Sequence, residues 1–325
     1  MRVLVTGIEG FVGSHLAEYL LGLNDIEIHG TTLDEPSSGA GRRLPPGLHL
    51  HQADILDAPR FHAICADIRP HRLIHLAGQA FVPTAVQHPA ATIQTNVMGT
   101  VSILEAVRAL AEHEGTGPAA LIVSSGEIYG NVPPEDQPIT EAQLPAPGNP
   151  YASSKAAMDL LAQSYRRTYR LDVTVVRPFN HAGPRQSPTF VCSEFGRRFA
   201  EFAAGETAPV LHVGNVESRR DFTDVRDVVH AYWTVFDRSG EESVFNVCSG
   251  SVHAISDIIE TFSEISGIRP EVKVDAAKVR PYGAPVLAGS NERLRRATGW
   301  TPTIPFRQTL EDVFHYWRDA LSGAR

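Results

Sequence analysis

The sequence predicts an α/β protein in which a doubly wound parallel sheet is joined to a smaller C-terminal α/β lobe. In the first half of the 325 residues, short apolar runs alternate with longer amphipathic segments. Strands and helices in strict alternation require crossover connections, which produce a mostly parallel sheet with helices on both faces. After Arg177 the alternation becomes irregular. We therefore expect a second, smaller unit to follow the sheet.

The spacing of apolar residues predicts each element. A β-branched run at 3–6 predicts the first strand, and apolar residues at helical spacing over 11–23 predict the first helix. The same patterns predict strands at 26–30, 48–51, 73–76, 121–124, 173–176, 210–213, 244–247 and 271–274. They also predict helices at 59–68, 91–112, 151–169, 192–204, 225–236, 255–266 and 306–321.

Composition and charge exclude several classes of protein. The hydrophobic content of 42% supports a folded core, and 29 Lys and Arg against 37 Asp and Glu give a formal charge of −8. This acidic balance lacks the basic footprint of a nucleic-acid or membrane-surface binder. No apolar run reaches the roughly 18 residues of a membrane span, and the first residues lack a signal-peptide pattern. We expect a cytoplasmic protein.

The cysteine and histidine patterns predict neither a disulfide framework nor a metal site. Cys65, Cys192 and Cys248 are widely spaced and form no CxxC pair, which is typical of a reducing compartment. The 14 histidines include no HExxH motif and no Cys/His cluster. We therefore assign no metal.

A glycine-rich turn follows the first predicted strand and opens the first predicted helix, with the sequence Thr6-Gly7-Ile8-Glu9-Gly10-Phe11-Val12-Gly13. Its three glycines allow a tight turn, a close approach by a pyrophosphate, and close packing of helix on strand. The phosphates would face the helix N-terminus, as in a Rossmann dinucleotide site. The residues expected to bind the cofactor here are Gly7, Gly10, Phe11, Val12 and Gly13.

A tyrosine and a lysine lie four residues apart in Pro150-Tyr151-Ala152-Ser153-Ser154-Lys155, so they share one face of the predicted helix. A phenol with a pKa of about 10 is a poor catalyst at neutral pH, but a neighbouring ammonium favours the phenolate and lowers that pKa. Alone, the pair is more typical of a solvated helix face. Together with the glycine turn, it indicates that Tyr151 and Lys155 catalyse a proton transfer.

These motifs resemble the extended short-chain dehydrogenase/reductase family over essentially the whole chain. Further matching motifs are Asp54-Ile55, His75-Leu76-Ala77-Gly78, Thr95-Asn96-Val97 and Ser124-Ser125-Gly126-Glu127-Ile128-Tyr129-Gly130. The resemblance implies that Ser125, Tyr151 and Lys155 form the catalytic set, with Asn96 associated with it. It also implies that Asp54 and Ile55 contact the adenine and that Leu76, Ala77 and Gly78 lie along the cofactor.

The family resemblance also implies a domain organisation and an oligomeric state. Residues 1–178 would form the dinucleotide-binding domain, to which the chain returns around 214–246. Residues 179–213 and 247–325 would mainly form the substrate-binding lobe. Two long helices per subunit, here predicted at 91–112 and 151–169, build a four-helix interface in this family, so a homodimer is expected.

Motifs of the second half resemble the GDP-mannose branch of nucleotide-sugar enzymes. They are Arg177-Pro178-Phe179-Asn180-His181, Thr189-Phe190-Val191, Arg219-Arg220-Asp221-Phe222-Thr223-Asp224 and Arg280-Pro281. The resemblance implies that Arg220 and Arg280 bind the diphosphate and nucleoside and that Asn180 helps to hold the diphosphate. The full set of implied substrate-binding residues is Ser125, Glu127, Asn180, Val191, Arg220 and Arg280. Gly283 stands where the branch usually has a nucleoside-binding Glu, so the base stays open, with GDP the first choice.

The loop Ser125-Gly126-Glu127 bears on which reaction this branch member performs. Its first residue is Ser, as in the branch's reductases, whereas the 4,6-dehydratases carry Thr there. Glu127, counted in the catalytic set, occurs in both classes. We therefore expect reduction of the 4-keto group of a nucleotide-linked 6-deoxy-4-ketohexose, with GDP-4-keto-6-deoxy-D-mannose as the first choice of substrate. The alternatives are a GDP-mannose 4,6-dehydratase, a nucleotide-sugar 4-epimerase, and a non-catalytic NADP-binding module.

The end of the second strand bears on the choice between NADP and NAD. An acid at that point usually selects NAD by bonding the adenosine ribose, but here the strand ends on Thr31-Thr32, with Asp34 further along. We expect Thr32 to contact the cofactor and NADPH to be preferred, with NADH also accepted. Arg42 or Arg43 in the following loop would meet a 2′-phosphate.

Overall fold

The computed structural model describes residues 1–34, 44–278 and 284–323. Arg42, Arg43, Arg280 and Gly283 lie outside these ranges. The described strands are β1 (Arg2–Thr6), β2 (Glu27–Thr32), β3 (Leu48–Gln52), β4 (Arg72–His75), β5 (Ala119–Val123), β6 (Val173–Pro178), β7 (Asn180–Ala182), β8 (Val210–Val213), β9 (Arg219–Asp224), β10 (Val244–Val247), β11 (Val252–Ala254), β12 (Glu271–Val274) and β13 (Val286–Leu287).

The described α-helices are α1 (Phe11–Leu21), α2 (Ala58–Ile68), α3 (Val82–Gln87), α4 (Pro89–Ile93), α5 (Gly99–Glu114), α6 (Pro150–Tyr169), α7 (Val191–Ala203), α8 (Val225–Thr234), α9 (Ile255–Ser266), α10 (Glu292–Thr298) and α11 (Phe306–Gly323). A π-helical turn at Gln94–Met98 joins α4 to α5. Short 3₁₀ turns occur at Gly126–Tyr129, Pro134–Asp136, Val235–Asp237 and Ala276–Lys278.

Within the described ranges, seven strands form one sheet in the order β3-β2-β1-β4-β5-β6-β10. Every neighbouring pair in this sheet is parallel. The predicted fold class is therefore confirmed. The strand order reverses between β1 and β4, and a crevice at that point, beyond the carboxyl ends of the strands, is where such sheets bind ligands.

Alternating side chains of β1 enter two separate cores, one on each face of the sheet. Val3 and Val5 pack in the core that contains α1 and α8, whereas Leu4 packs in the core that contains α2, α5 and α6. A strand points successive side chains to opposite faces, so a sheet with helices on both faces buries every residue of its central strands. This explains why the strands read as continuous apolar runs.

The second half of the chain contributes to both lobes. In the smaller lobe, β9 pairs with β7, β11 and β13, and β8 pairs with β12. Aromatic side chains of α7, α9 and α11 form the core of this lobe. Residues of α8 and β10, together with Trp300, instead pack in the first core against β1 and α1. The chain thus returns to the large sheet, while the functional division at residue 178 stays a prediction.

The structure differs from the predicted elements at several points. The short elements β7, β11, β13, α3 and α10 were not predicted. The helix predicted at 91–112 is divided into α4, the π turn and α5. In addition, β9 was not predicted, because its sequence RRDFTD is too polar for the apolar pattern. Its buried Asp221 and Asp224 accept hydrogen bonds from Ser249, Gly250, Arg226 and Thr309, and these bonds offset the cost of burying the two carboxylates.

In the part of the chain that the structure describes, no helix is both long and apolar enough to cross a bilayer. The same ranges contain no cluster of three or more His, Cys, Asp or Glu side chains arranged to hold a metal ion. The side chains of Cys65, Cys192 and Cys248 are buried and unbridged.

Candidate active site

The glycine turn brings the start of α1 to the carboxyl end of β1. Gly7 adopts the left-handed conformation, with a φ of 69°, and a Cβ on it would lie 2.9 Å from the backbone of Ala77. A Cβ on Gly13 would lie 2.4 Å from the carbonyl oxygen of Gly7. Both positions therefore require glycine. The turn closes through a 3.0 Å hydrogen bond from Gly10 N to Gly7 O.

This turn fits a dinucleotide pyrophosphate. A Cβ on Gly10 would meet no heavy atom within 4 Å except the Gly7 carbonyl oxygen, at 3.0 Å, so the backbone is open to an approaching ligand. Gly10 precedes α1 without a side-chain cap, and the first amides of a helix attract anions. Phe11 and Val12 are the first residues of that helix.

A buried relay of hydrogen bonds connects the glycine turn to the π turn through His75. The amides of Leu76 and Ala77 donate to Thr6 Oγ1, and Thr6 Oγ1 lies 2.8 Å from His75 Nδ1. On the other side, His75 Nε2 lies 3.2 Å from Thr100 Oγ1, which donates to the Asn96 carbonyl. Because the Thr100 hydrogen is used, His75 donates from Nε2 and accepts at Nδ1. The imidazole is therefore neutral.

Asn96 lies inside the π turn and is 1% exposed. Its amide nitrogen donates to Gln79 O and Ser154 Oγ, and its side-chain oxygen accepts from Gln79 N. A Cβ on Gly78 would lie 2.8 Å from that oxygen. Asn96 thus anchors the segment after β4 to α6, and the π turn is the kind of helix interruption that recurs at functional sites.

Ser125, Tyr151 and Lys155 lie together at the carboxyl end of β5. Ser125 lies two residues beyond that strand, and its hydroxyl is close enough to the Tyr151 phenol to act against the rise in the pKa of Tyr151. Tyr151 and Lys155 lie one turn apart on α6 and are both buried. The Lys155 ammonium donates to the Val123 carbonyl oxygen at 2.8 Å. The structure thus brings together the three residues of the expected catalytic set.

Burial dominates the protonation of this set. It raises the pKa of Tyr151 to about 12, and the hydrogen bond with Ser125 acts in the opposite direction. Burial also lowers the pKa of Lys155 to about 8. The sequence led us to expect that Lys155 lowers the pKa of Tyr151, whereas here the desolvation of the phenol outweighs its hydrogen bond. Tyr151 is a protonated phenol at neutral pH.

The expected substrate residues come from both lobes. Glu127 and Arg220 line one pocket beside the catalytic set, together with Gly130, Asn131, Gly148, Asn149, Ala284 and Leu287. Asn180 begins β7 and pairs with Phe222 of β9, and Val191 begins α7. Both are partly buried. Arg280 cannot be placed, because it lies outside the described residues.

The residues expected to contact the adenosine part of the cofactor lie at the carboxyl ends of β2 and β3. Ile55 is 4% exposed, whereas Asp54 is exposed and accepts a hydrogen bond from Leu56 N. Thr32 is buried, and its hydroxyl donates to the carbonyl oxygen of Asp34. Partial burial and the nearby Asp34 carboxylate raise the pKa of Glu9 in the glycine turn. The Asp34 carboxylate therefore lies near Glu9 at this end of the crevice.

Two groups of residues at the site were missed by sequence reasoning. Asn131 and Asn149 line the pocket, and the only signal for Asn149 was its position as a helix cap before Pro150. The second group supports the site from behind. Arg177 donates from Nε and Nη2 to the two carboxylate oxygens of Asp159, at 2.8 and 3.1 Å. Its Nη1 donates to the Tyr129 hydroxyl at 2.9 Å.

Comparison with known proteins agrees with this geometry. The family model described as GDP-mannose 4,6 dehydratase matches residues 4–313. GDP-6-deoxy-D-mannose reductase of Pseudomonas aeruginosa is 36% identical over 97% of this chain and 97% of its own. UDP-glucose 4-epimerase of Mycolicibacterium smegmatis is 29% identical over 98% of this chain and 99% of its own.

A solved structure of RMD from Pseudomonas aeruginosa, complexed with NADPH, superposes with a TM-score of 0.85. It is 36% identical and covers 98% of this chain and 99% of that chain. The glycine turn, the Ser125, Tyr151 and Lys155 set and the full-length matches agree with one another. The chain therefore belongs to the GDP-mannose 4,6-dehydratase family, within the nucleotide-sugar branch of the extended short-chain dehydrogenases/reductases.

Proposed function

We propose that this protein reduces the 4-keto group of GDP-4-keto-6-deoxy-D-mannose with NADPH, forming GDP-6-deoxy-D-mannose for deoxysugar biosynthesis. The observation that carries the proposal is that Ser125, Tyr151 and Lys155 lie together at the end of β5, next to a glycine turn that fits a dinucleotide. The 36% identity to GDP-6-deoxy-D-mannose reductase over the full length supports the substrate.

The residues of the crevice hold the dinucleotide. Gly7, Gly10 and Gly13, with the first amides of α1, accommodate the pyrophosphate. Thr32, Asp54 and Ile55 lie at the adenosine end, and the segment Leu76, Ala77 and Gly78 lies along the cofactor with Asn96 behind it. The reduced nicotinamide supplies the hydride when it is bound. The NADPH complex of the Pseudomonas aeruginosa protein supports NADPH as the preferred cofactor, with NADH also accepted.

Tyr151 and Ser125 act on the ketone oxygen. The Tyr151 phenol, whose pKa burial raises to about 12, is protonated at neutral pH and donates its proton as hydride reaches carbon 4. Ser125 donates a hydrogen bond to the same oxygen and stabilises its developing negative charge. Lys155 holds the cofactor ribose. A neutral phenol is an acid, which is the form that reduction requires, whereas oxidation of an alcohol requires the phenolate.

The second candidate is a GDP-mannose 4,6-dehydratase, and Glu127 is the observation that favours it. This carboxylate lines the pocket beside Tyr151, where an elimination between carbons 5 and 6 would need a proton donor or acceptor. In the reductase, the same carboxylate binds a substrate hydroxyl. A 4-epimerase, supported by the relative at 29% identity, is a third candidate, and a non-catalytic NADP-binding module is a fourth.

In this proposal, each lobe binds a different ligand. The seven-stranded sheet holds NADPH, and the smaller lobe contributes Asn180, Val191 and Arg220 to the nucleotide sugar. Arg280 is proposed as a further substrate residue on the family resemblance alone. We also place the enzyme in the cytoplasm, since its three cysteines are buried and unbridged, as in a reducing compartment.

We further propose a homodimer. Large apolar side chains are exposed on the helical layer around α3 to α6: Val86 is 42%, Ile93 46%, Met98 53% and Leu160 54% exposed. The elements that carry them pack beside one another on one face of the sheet. A second copy of the chain would cover this surface through the two long helices.

The test supplies the purified protein with two pairs of ligands. NADPH with GDP-4-keto-6-deoxy-D-mannose should give NADPH oxidation and one new GDP-sugar, identified by chromatography and NMR. GDP-mannose with NADP⁺ should give no conversion. The opposite pattern would identify a 4,6-dehydratase. Binding of NADPH without turnover in either mixture would support the non-catalytic module.

A further inference from the structure

The pocket shared by Glu127 and Arg220 lies between the catalytic set and the residue proposed to bind the diphosphate. Glu127 follows Ser125 by two residues, and Asn149 precedes Tyr151 by two, so one end of the pocket adjoins the catalytic pair. Arg220 from β9 lines the other part. A nucleotide sugar extends from carbon 4, through the hexose ring, to the anomeric diphosphate. The hexose ring therefore belongs in this pocket.

Asn149 lines this pocket and carries a hydrogen-bond donor that the helix cap does not use. Its side-chain oxygen accepts from Ala152 N at 2.9 Å and caps α6. Because that oxygen is used by the cap, the orientation of the amide is determined, and the two N–H donors belong to Nδ2. Across residues 1–34, 44–278 and 284–323, Nδ2 has no hydrogen-bond partner.

Glu127 presents the complementary acceptor. Its backbone amide donates to Ser125 Oγ at 3.1 Å, while its carboxylate makes no hydrogen bond or ion pair with another described residue. A sugar hydroxyl donates one hydrogen bond and accepts others. A carboxylate acceptor and an amide donor on one pocket wall are the two partners that such a hydroxyl needs.

We propose that Asn149 is a specificity-determining residue that donates a hydrogen bond to a ring hydroxyl of the hexose, while Glu127 accepts from the ring. The inference rests on the proposed function, because it takes a hexose linked to a nucleoside diphosphate as the ligand. The Asn149 side chain then has two functions, because its oxygen caps α6 and its nitrogen binds the sugar.

Helix capping and sugar binding can be tested separately, because Ser is as good a helix cap as Asn. Asn149→Ser keeps an oxygen for the cap and removes the amide donor without changing the charge near Arg220. Asn149→Ala removes both. We therefore expect N149S to keep the melting temperature of the wild type, and N149A to have a lower melting temperature.

The experiment compares GDP-mannose with GDP by titration calorimetry, since the difference in affinity reports the hexose alone. We expect the wild type to bind GDP-mannose more tightly than GDP. In N149S the affinity for GDP should stay within about twofold, and the affinity for GDP-mannose should fall roughly 3- to 10-fold, the range for one lost hydrogen bond. Affinity for NADPH should be the same in both proteins.

The possible outcomes separate this inference from the proposed function. If N149S keeps the full preference for GDP-mannose over GDP, or if the wild type shows no such preference, Asn149 does not bind the hexose, and the reductase proposal is untouched. If the affinity of N149S for GDP falls as much as its affinity for GDP-mannose, or if its melting temperature falls, the effect of the substitution is structural and the inference is wrong. A wild type that binds neither ligand would overturn the proposed function and this inference together.

Discussion

Tyr151 shows how burial sets the chemistry of a single residue. The same side chain on a solvated helix would share the pKa of a free phenol, of about 10. Here it lies on α6 against Ser125, and burial keeps it protonated with a pKa of about 12. The packing around the phenol therefore has a larger effect on the pKa of Tyr151 than any neighbouring charge.

Replacing Tyr151 by Phe removes the proposed proton donor and leaves its volume unchanged. We expect turnover in the reductase assay to fall by at least about 100-fold, and NADPH affinity measured by fluorescence titration to stay near that of the wild type. Tyr129→Phe serves as a control for a buried tyrosine outside the crevice. Tyr129 bonds Arg177 and Asn246, so its loss should affect stability first. Full turnover by Y151F would remove Tyr151 from its role.

His75 makes the fold sensitive to acid. Burial lowers its pKa from 6.5 to about 3, so between these values the unfolded chain binds a proton that the folded chain does not. Stability contributed by the neutral imidazole is therefore present above pH 6.5 and is lost as the pH falls towards 3. At about pH 5 the loss amounts to roughly 2 kcal/mol.

Urea unfolding near pH 7 and near pH 5 measures this loss. Other histidines contribute to the wild-type slope, so the informative quantity is the difference from His75→Gln, whose amide offers Thr6 and Thr100 polar partners without titrating. Between pH 7 and pH 5, the free energy of unfolding of His75→Gln should fall by about 2 kcal/mol less than that of the wild type. Equal losses in the two proteins would show that His75 is protonated in the folded state.

At the scale of elements, β1, the glycine turn and α1 act as one unit. Gly13 lets α1 lie against the turn, and an Ala there would place its Cβ 2.4 Å from Gly7 O and 2.6 Å from Ile8 O. Both contacts are with backbone atoms, so the helix itself must move. A displaced helix no longer aims its first amides at the pyrophosphate.

We therefore expect Gly13→Ala to weaken NADPH binding by more than about 10-fold and to lower the free energy of unfolding by about 1–3 kcal/mol. Fluorescence titration and thermal unfolding measure the two effects. Gly148→Ala is the matched control, since a Cβ there meets no atom of the described residues within 4 Å. Unchanged NADPH affinity in G13A would contradict the proposed position of the pyrophosphate.

Helix α6 carries several functions along one element. Asn149 caps it, Tyr151 and Lys155 face the site, and one turn later Asp159 holds Arg177 of β6 through a buried ion pair with 5% and 0% exposed side chains. Such a pair is costly to break when one partner remains, typically by about 3–5 kcal/mol. The motif residue Arg177 therefore fixes α6 against the sheet.

At the scale of the whole molecule, the exposed apolar residues of the helical layer bear on the oligomeric state. A charge placed there would oppose a second copy without touching either core. We expect the double variant Met98→Glu and Leu160→Glu to be monomeric by light scattering at micromolar concentration, and the wild type to be dimeric. Leu144→Glu, at a residue that is 78% exposed on a separate loop, is the control. A monomeric wild type would refute the dimer.

The comparison of sequence and structure is most informative where the two disagree. The apolar strands β1, β4, β5 and β6 were predictable, because burial on both faces leaves an uninterrupted apolar run. The polar strand β9 was not, since its carboxylates are buried only through hydrogen bonds to distant residues. The π turn at Asn96 was likewise missed, because apolar spacing over 91–112 is the same whether the helix is continuous or interrupted.

The sequence by itself determined the fold class and predicted the dinucleotide turn, because these depend on local spacing and on backbone conformations that only glycine adopts. The catalytic set of Ser125, Tyr151 and Lys155 was predicted from the resemblance of its motifs to those of the family. Only the tertiary structure decided the protonation of Tyr151, the neutral state of His75 and the meeting of Glu127, Asn149 and Arg220 in one pocket. These properties depend on desolvation and on contacts between residues far apart in the chain. Neither of these is encoded in the spacing of neighbouring residues.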